Sequence, residues 1–325
     1  MQGLTAIAGI RVGHASNFDA VTGCTAILCE AGAVGGVDIR GSASETSSID
    51  TLQPGHIASQ VHGIVLSGGS AFGLETASGV RRYLEQNGVG FRFGGGVVPI
   101  VPCAVLFDLD IGKRGIRPSR EMGETAAAAA TAEPAKEGAV GAGTGATVGK
   151  ILGMRQAMKS GIGSGLVELK DGVLVAALVV VNAFGDVRDP STGQLIAGAR
   201  SAPDSMELVD TQALMKAGGL PPRGPRAGER RNTTLAVVAT NARLSKVEAA
   251  KLAEFGTLGM ARTIYPVYTM FDGDATFALS IGDARADVNI LGVAAAEAVA
   301  QAVVRAVQNA PSMGGVPGLA GEAGG

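Results

Sequence analysis

The chain has 325 residues, a net charge of −2, an apolar share of 46% and a charged share of 17%. That balance describes a folded protein with a substantial core, in one large or two smaller domains, and gives no electrostatic case for nucleic acid or an acidic membrane surface. Fifty glycines and no tryptophan point to tight turns and close backbone approaches, not to an aromatic binding platform.

The start, Met1-Gln2-Gly3-Leu4-Thr5, lacks a basic region and a long apolar stretch, so no signal peptide is expected. No apolar run approaches the ~18 residues of a membrane span. Cys24, Cys29 and Cys103 match no metal or redox spacing. Cys24 and Cys29 face opposite sides of a strand-like run, and all three read as reduced core thiols of a cytoplasmic protein.

Residues 23–29 and 34–40 read as two strands joined by a hairpin at Glu30-Ala31-Gly32-Ala33. A strand over His62–Ser67 turns through Gly68-Gly69-Ser70 into a helix from about Ala71 to Gln86, which Gly88 stops. Ser70 fails as an elbow nucleophile because Phe72 stands where glycine is needed. The three histidines, His14, His56 and His62, all precede it, leaving none as a late triad base. Val97–Leu109 is extended and broken by Pro99 and Pro102, and Ser119–Glu133 reads as a helix ending before Pro134.

Gly141-Ala142-Gly143-Thr144-Gly145-Ala146 has the spacing of a dinucleotide loop but no strand before it, and Gly149-Lys150-Ile151 lacks the hydroxyl of a phosphate loop. Both nucleotide readings are rejected. Leu166–Leu169 and Val173–Val181 form a hairpin around Asp171-Gly172 that carries Asn182 to a sheet edge. A helical stretch near Met206–Ala217 follows, then a Gly/Pro/Arg-rich approach, Gly218 to Arg230. That approach enters Arg231-Asn232-Thr233-Thr234 and the apolar run Leu235–Ala239, a strand buried on both faces.

Ser245-Lys246-Val247-Glu248 is a capping box opening a helix to about Ala261. Tyr268–Phe271 and Ala275–Ile281 read as strands joined through Asp272-Gly273-Asp274, and Asp287 caps a last helix, Val288–Asn309. Ala310–Gly325 is Gly/Pro-rich and expected to be disordered. Hairpins combined with flanking helices predict an α+β layered fold, with two stacked sheets between helix layers.

Thr233 sits where a loop enters that buried strand. Attack of its hydroxyl on the Asn232 carbonyl would pass through an ester and leave Thr233 as a new N-terminus, whose α-amine could serve as base to its own hydroxyl. Such an amine titrates at about 7.7–8.0, close to neutrality. The plain alternatives are that Asn232-Thr233-Thr234 only begins a strand and Asp272-Gly273-Asp274 only turns a hairpin. Likewise Lys150 could snorkel outward and Asn182 could serve a turn.

Several ordered segments resemble one family. They are Gly9-Ile10-Arg11-Val12-Gly13-His14, Val37-Asp38-Ile39-Arg40-Gly41, Leu66 to Leu74, Gly141 to Lys150, Asn182, Asn232-Thr233-Thr234, and Met270 to Asp274. Together, over roughly residues 5–308, the chain resembles the self-processing aminopeptidases of the DmpA type and the related endo-acting nylon-oligomer (6-aminohexanoate) hydrolases. The resemblance implies a four-layer αββα sandwich and self-cleavage into residues 1–232 and 233–325. It also implies no metal, no cofactor, and a tetramer of processed heterodimers.

By the same resemblance Thr233 is the nucleophile, Asn182 helps hold the oxyanion, and Lys150 with Asp272 and Asp274 matches the nylon-oligomer branch. Phe107 stands where many members have a tyrosine hydroxyl, and Phe107 and Ser70 are assigned to the substrate pocket. The function implied is hydrolysis of a small amide or short peptide through an acyl-enzyme, nearest to the 6-aminohexanoate-oligomer branch. An aminopeptidase and esterase activity, including on β-aminoacyl peptides, is the alternative, and an ornithine-type acyltransferase is a further one. Residues 94–106 look underemployed in a monomer and are expected to bury against a copy of the chain.

Overall fold

The computed structural model describes residues 3–219 and 232–321, so most of the Gly/Pro/Arg-rich approach to Thr233 lies outside the described residues. After β1 (Arg11–Asn17), one strand ties the molecule together: β2 (Thr22–Ile39) runs for 18 residues where a hairpin was expected. The residues that looked like a turn form an irregularity within the strand. Register against β3 (Val61–Ser67) shifts between Leu28 and Ala33, and Gly32 takes φ +87°, a conformation that glycine adopts without a Cβ penalty. Before the shift β2 pairs with β3, and after it Val34–Ile39 pair with β8 (Ala275–Ala284).

Among the described residues, nine strands form one hydrogen-bonded sheet, eight of them in a single path. It runs β5 (Ile162–Glu168), β6 (Leu174–Asn182), β7 (Thr233–Ala242), β8, β2, β3, β4 (Cys103–Val105), then Thr46–Ser47, with β1 alongside β2. β6 and β7 are antiparallel, whereas β7 and β8 are parallel. The expected hairpin around Asp171-Gly172 is the β5–β6 pair.

The two-residue alternation of side chains divides this path into layers. Val175, Ala177, Val179 and Val181 of β6 pack with the apolar faces of α3 (Lys246–Ala261) and α4 (Val288–Gln308). Ala176, Leu178 and Val180 face the other way, with Leu235, Val237, Phe277 and Leu279, and meet Ile27, Ile64, Leu66 and Leu106. On the far side of those last strands Cys24, Ala26, Leu28, Val65 and Cys103 pack on α1 (Thr76–Gln86) and α2 (Arg120–Ala128). Helices, sheet, sheet and helices follow in order, which is the αββα sandwich expected from the sequence.

Close approach depends on glycine at β5. A Cβ at Gly163 or Gly165 would lie 2.0 Å from the carbonyl of Ala302 or Ala298, so α4 rests directly on the strand backbone. By length and composition α4 could cross a membrane, with a mean hydropathy of 1.7 over its most apolar window, although Glu297, Gln301 and Arg305 interrupt any continuous apolar run. Here 67% of that window is buried inside the fold.

The capping box of α3 forms as expected, and Asp287 accepts the Asn289 N–H at 2.8 Å to cap α4. Other expectations are corrected. Ser70–Glu75 is a 3₁₀ turn ahead of α1, α2 stops at Ala128, and only Thr211–Lys216 of the 206–217 stretch is helical. Tyr268–Phe271 is not a strand, because the two aspartates that follow draw its N–H groups out of extended pairing.

Residues 310–321 are not disordered: Pro317 accepts the Lys159 N–H at 2.8 Å, and Val316 is buried with Val21 and Ile111. In the 94–106 stretch, Val101 and Cys103–Leu106 are core residues and so unavailable to a partner. The exposed apolar part is the hairpin Phe91–Phe93/Gly96–Val98, which overlaps the start of that stretch.

Candidate active site

Three strand ends meet at one edge of the sheet. Asn182 closes β6 directly opposite Thr233, the first residue of β7, and β8 starts parallel to β7 with Leu235 paired to Ala275. The parallel ladder continues one step further back, as a bridge between Asn232 and Asp272. That bridge holds Asn232 firmly. Its N–H and side-chain amide both donate to the Phe271 carbonyl, at 2.8 and 3.2 Å.

The Asn232 carbonyl accepts the Gly273 N–H at 2.7 Å and the Thr233 hydroxyl at 2.6 Å. A carbonyl bond is about 1.23 Å long, so the hydroxyl oxygen lies no farther than about 3.8 Å from the carbonyl carbon. Thr233 is 3% exposed, and the residue on each side of it is buried too.

Asp272 and Asp274 are not turn chemistry. Asp272 accepts the Phe184 N–H at 3.1 Å on one oxygen, and the Thr269 N–H (3.2 Å) and hydroxyl on the other. Asp274 accepts the Thr234 N–H at 2.6 Å and the Tyr268 N–H at 3.2 Å. Both carboxylates are buried and knit the irregular 268–274 segment to β6 and β7. Burial raises the pKa of each, and the neighbouring Asp272 charge helps hold Asp274 well above the usual carboxylate range.

Lys150 does not snorkel. Gly149 takes φ +70°, and a Cβ there would lie 2.0 Å from the Ala199 nitrogen, so only glycine lets the chain turn in at this point. The Lys150 N–H donates to the Phe184 carbonyl at 3.0 Å, and Nζ donates to Asn182 Oδ1 at 2.6 Å and to the Asn182 carbonyl at 3.2 Å. Burial pushes the ammonium down to about 7, with the nearby Asp272 charge opposing the shift.

Asn182, fully buried, is likewise no turn residue. Its Oδ1 also accepts the Thr147 N–H at 3.2 Å, while Nδ2 donates to the Phe107 carbonyl at 3.0 Å. The structure therefore brings Thr233, Asn182, Lys150, Asp272 and Asp274 together. Phe107 joins them through its backbone. Ser70, at φ +53°, donates its N–H to the Leu106 carbonyl at 3.0 Å, which ties it to the Phe107 loop and not to Thr233.

Four buried charges among the described residues escaped the sequence reading: Asp108, Lys159, Asp186 and Arg200. Asp108 accepts the Thr22 hydroxyl at 2.6 Å and the Gly69 N–H at 2.7 Å, and burial lifts it to about 6. Lys159, with no exposed surface, donates to the carbonyls of Gly143, Ala146 and Ser160 at 3.2, 2.8 and 2.6 Å, and burial brings it to about 7. The one available signal was a lone lysine between Ala157-Met158 and Gly161-Ile162, in an otherwise uncharged stretch.

Two stacked sheets between helix pairs are the layering of the Ntn-hydrolase fold. The chain superposes with a TM-score of 0.72 on a solved L-aminopeptidase D-Ala-esterase/amidase from Ochrobactrum anthropi, described as a variant of that fold. Identity is 18%, covering 97% of this chain and 88% of that one.

The peptidase family S58 model matches residues 2–320, and the chain belongs to that family, as a hydrolase acting on amide or peptide bonds. It is 38% identical to an uncharacterised aminopeptidase of Mycobacterium leprae, over 99% of this chain and 94% of that one. It is 30% identical to the 6-aminohexanoate-oligomer endohydrolase of Kocuria sp. (strain KY2), over 92% and 84%.

Proposed function

We infer that the chain cleaves itself between Asn232 and Thr233 and then hydrolyses small amides through the freed Thr233. The observation that carries this reading is the Thr233 hydroxyl, 2.6 Å from the oxygen of a carbonyl that a backbone N–H also grips. In turnover the hydroxyl attacks the substrate carbonyl, and the α-amine takes its proton and returns it to the leaving amine. Water then hydrolyses the ester by the same route. Asn182 positions the attacked group, while Lys150, Asp272 and Asp274 set the charge state around the amine. Denaturing electrophoresis of the folded protein should show fragments 1–232 and 233–325, the second with Thr-Thr-Leu-Ala at its start. A chain that stays intact would falsify this reading.

For the substrate, we favour endo-type cleavage of extended amides such as 6-aminohexanoate oligomers. Each oxygen of Asp272 and Asp274 already accepts a protein donor, which leaves each acid less capacity to clamp a substrate ammonium, and Phe107 adds apolar surface. The second reading, an aminopeptidase, is supported by the 38% identity to a chain called one. End-blocked or cyclic oligomers separate the two, because they carry no free amine. Turnover restricted to aminoacyl amides or β-alanyl peptides would replace the endo reading, and acyl transfer to ornithine without hydrolysis would replace both. A tetramer of processed heterodimers completes the proposal, checked by sedimentation at micromolar concentration.

A further inference from the structure

We propose that the backbone N–H of Gly273 is the oxyanion donor for self-cleavage. The inference rests on Thr233 being the self-cleaving nucleophile and adds the group that receives the charge this attack creates.

The parallel ladder between β7 and β8 does not stop at the first strand residues. It extends to Asn232 and Asp272, and that register points the next N–H, at Gly273, directly at the Asn232 carbonyl, 2.7 Å away. The same peptide unit is fixed from its other end, where the Asp272 carbonyl accepts the Ala43 N–H at 2.9 Å. The Asp274 carbonyl accepts the N–H groups of Arg40 and Gly41, at 3.0 and 3.1 Å. A peptide clamped through its C=O cannot swing its N–H away, and a hydrogen bond at one end polarises the other. Such prior orientation is what an oxyanion donor requires.

Glycine is needed here for a steric reason. A Cβ at position 273 would come within 2.6 Å of the Ala43 carbonyl oxygen and 2.8 Å of the Thr233 hydroxyl. Asn182, the amide expected in this role, is directed elsewhere in the intact chain: its Nδ2 donates to Phe107, and its Oδ1 accepts from Lys150.

In the step itself the Thr233 hydroxyl loses its proton to a neighbouring base as its oxygen bonds to the Asn232 carbon. The carbonyl π pair moves onto the oxygen facing Gly273. As the carbonyl re-forms, the carbon–nitrogen bond breaks, its pair stays on the Thr233 nitrogen, and that nitrogen takes up the proton. Water hydrolyses the resulting ester to the Asn232 carboxylate and free Thr233.

The test replaces glycine 273 with glycolic acid by cell-free translation of the full chain, which exchanges one N–H for oxygen and leaves every side chain in place. Loss of a single donor of this type slows the reaction by about 10²–10³-fold, so intact chain should accumulate under conditions where the glycine control is fully cleaved. Cleavage of the folded ester variant at the control's rate overturns the proposal.

A second measurement does not depend on the ester variant folding. In the Thr233→Ala chain the Gly273 amide should resist hydrogen exchange, and in the cleaved wild-type protein it should lose that protection. Rapid exchange in Thr233→Ala also overturns the proposal. Failure of the underlying reading looks different, since the wild-type control itself would then remain uncut at Asn232–Thr233.

Discussion

Replacing Lys150 with methionine tests which group takes the Thr233 proton while the threonine nitrogen is still locked in an amide. Lys150 is the candidate: its Nζ is anchored on Asn182, which lies opposite Thr233 in the β6–β7 register. With its pKa brought down to about 7 by burial, the neutral amine rises from about one-tenth of the population at pH 6 to about nine-tenths at pH 8. Wild-type self-cleavage should therefore accelerate about tenfold across that interval. Lys150→Met should lose this limb and run slower by about 10²–10⁴, the usual contribution of a positioned base.

The assay unfolds intact chain in urea, dilutes it into buffers from pH 6 to 8, and follows its disappearance by denaturing electrophoresis. A wild-type rate that is flat or falling with pH refutes the assignment, as does an unchanged profile in Lys150→Met. Stability gives an independent sign. The folded pKa lies below the ordinary 10.5, so the unfolded chain binds more protons between pH 7 and 10.5, and this lysine's contribution improves as pH rises through that window. In a Thr233→Ala background, the chain with Lys150 should gain about 2–3 kcal/mol on Lys150→Met between pH 7 and 9, read by urea unfolding.

Thr233→Ala should abolish both self-cleavage and turnover, on the order of 10⁶ in rate, whereas Thr233→Ser keeps part of each. Electrophoresis and amide hydrolysis check both, and cleavage persisting in the alanine variant would move the role to Thr234. Lys159→Met should destabilise the fold by about 1–3 kcal/mol in urea unfolding, because the Ser160 carbonyl loses its donor while those of Gly143 and Ala146 keep the N–H groups of Ala146 and Ser160. Gly165→Ala drives a methyl toward the Ala298 carbonyl and should cost about 1–3 kcal/mol by lifting α4 from β5, seen as a lower midpoint with an unchanged slope.

Local signals in the sequence were reliable where local chemistry decides the outcome. The capping box at Ser245, the cap at Asp287, the Asp171-Gly172 turn and the doubly buried β6 and β7 all appear where periodicity and turn residues put them. Two of the errors, within β2 and after Ala310, share a cause: a long-range partner overrode a local cue. Glu30–Ala33 has hairpin composition, but two separate partner strands pull β2 through it as one strand with a bulge. Tyr268–Phe271 has strand composition, but the carboxylates of Asp272 and Asp274 claim its amides. Ala310 onward has the composition of a tail, yet Pro317 and Val316 find partners brought near by the fold.

The site was legible mainly as family order, because Lys150, Asn182, Thr233 and Asp272 are far apart in sequence and only the sheet edge assembles them. Lys159 and Asp108 carried almost no signal. A buried ion is recognisable by its surroundings, and its surroundings come from other parts of the chain.

Burying Lys150, Lys159, Asp108, Asp272 and Asp274 in one protein is unfavourable unless each finds partners, and here each does. Desolvation acts on them in one chemical direction. It brings both lysines to about 7 and raises the three carboxyl groups, so neutral forms are favoured on both sides. On the self-cleaving reading, this matters for the amine that Thr233 gains. A fully charged carboxylate beside a new α-amine would hold it as an ammonium, which has no lone pair to accept a proton. Backbone N–H donors favour the charged form of each acid, but burial outweighs them and raises both pKa values, so the acids exert less of that pull. Burial of the same edge disfavours the ammonium directly. On that reading, burial around residues 268–274 favours the new amine as a base.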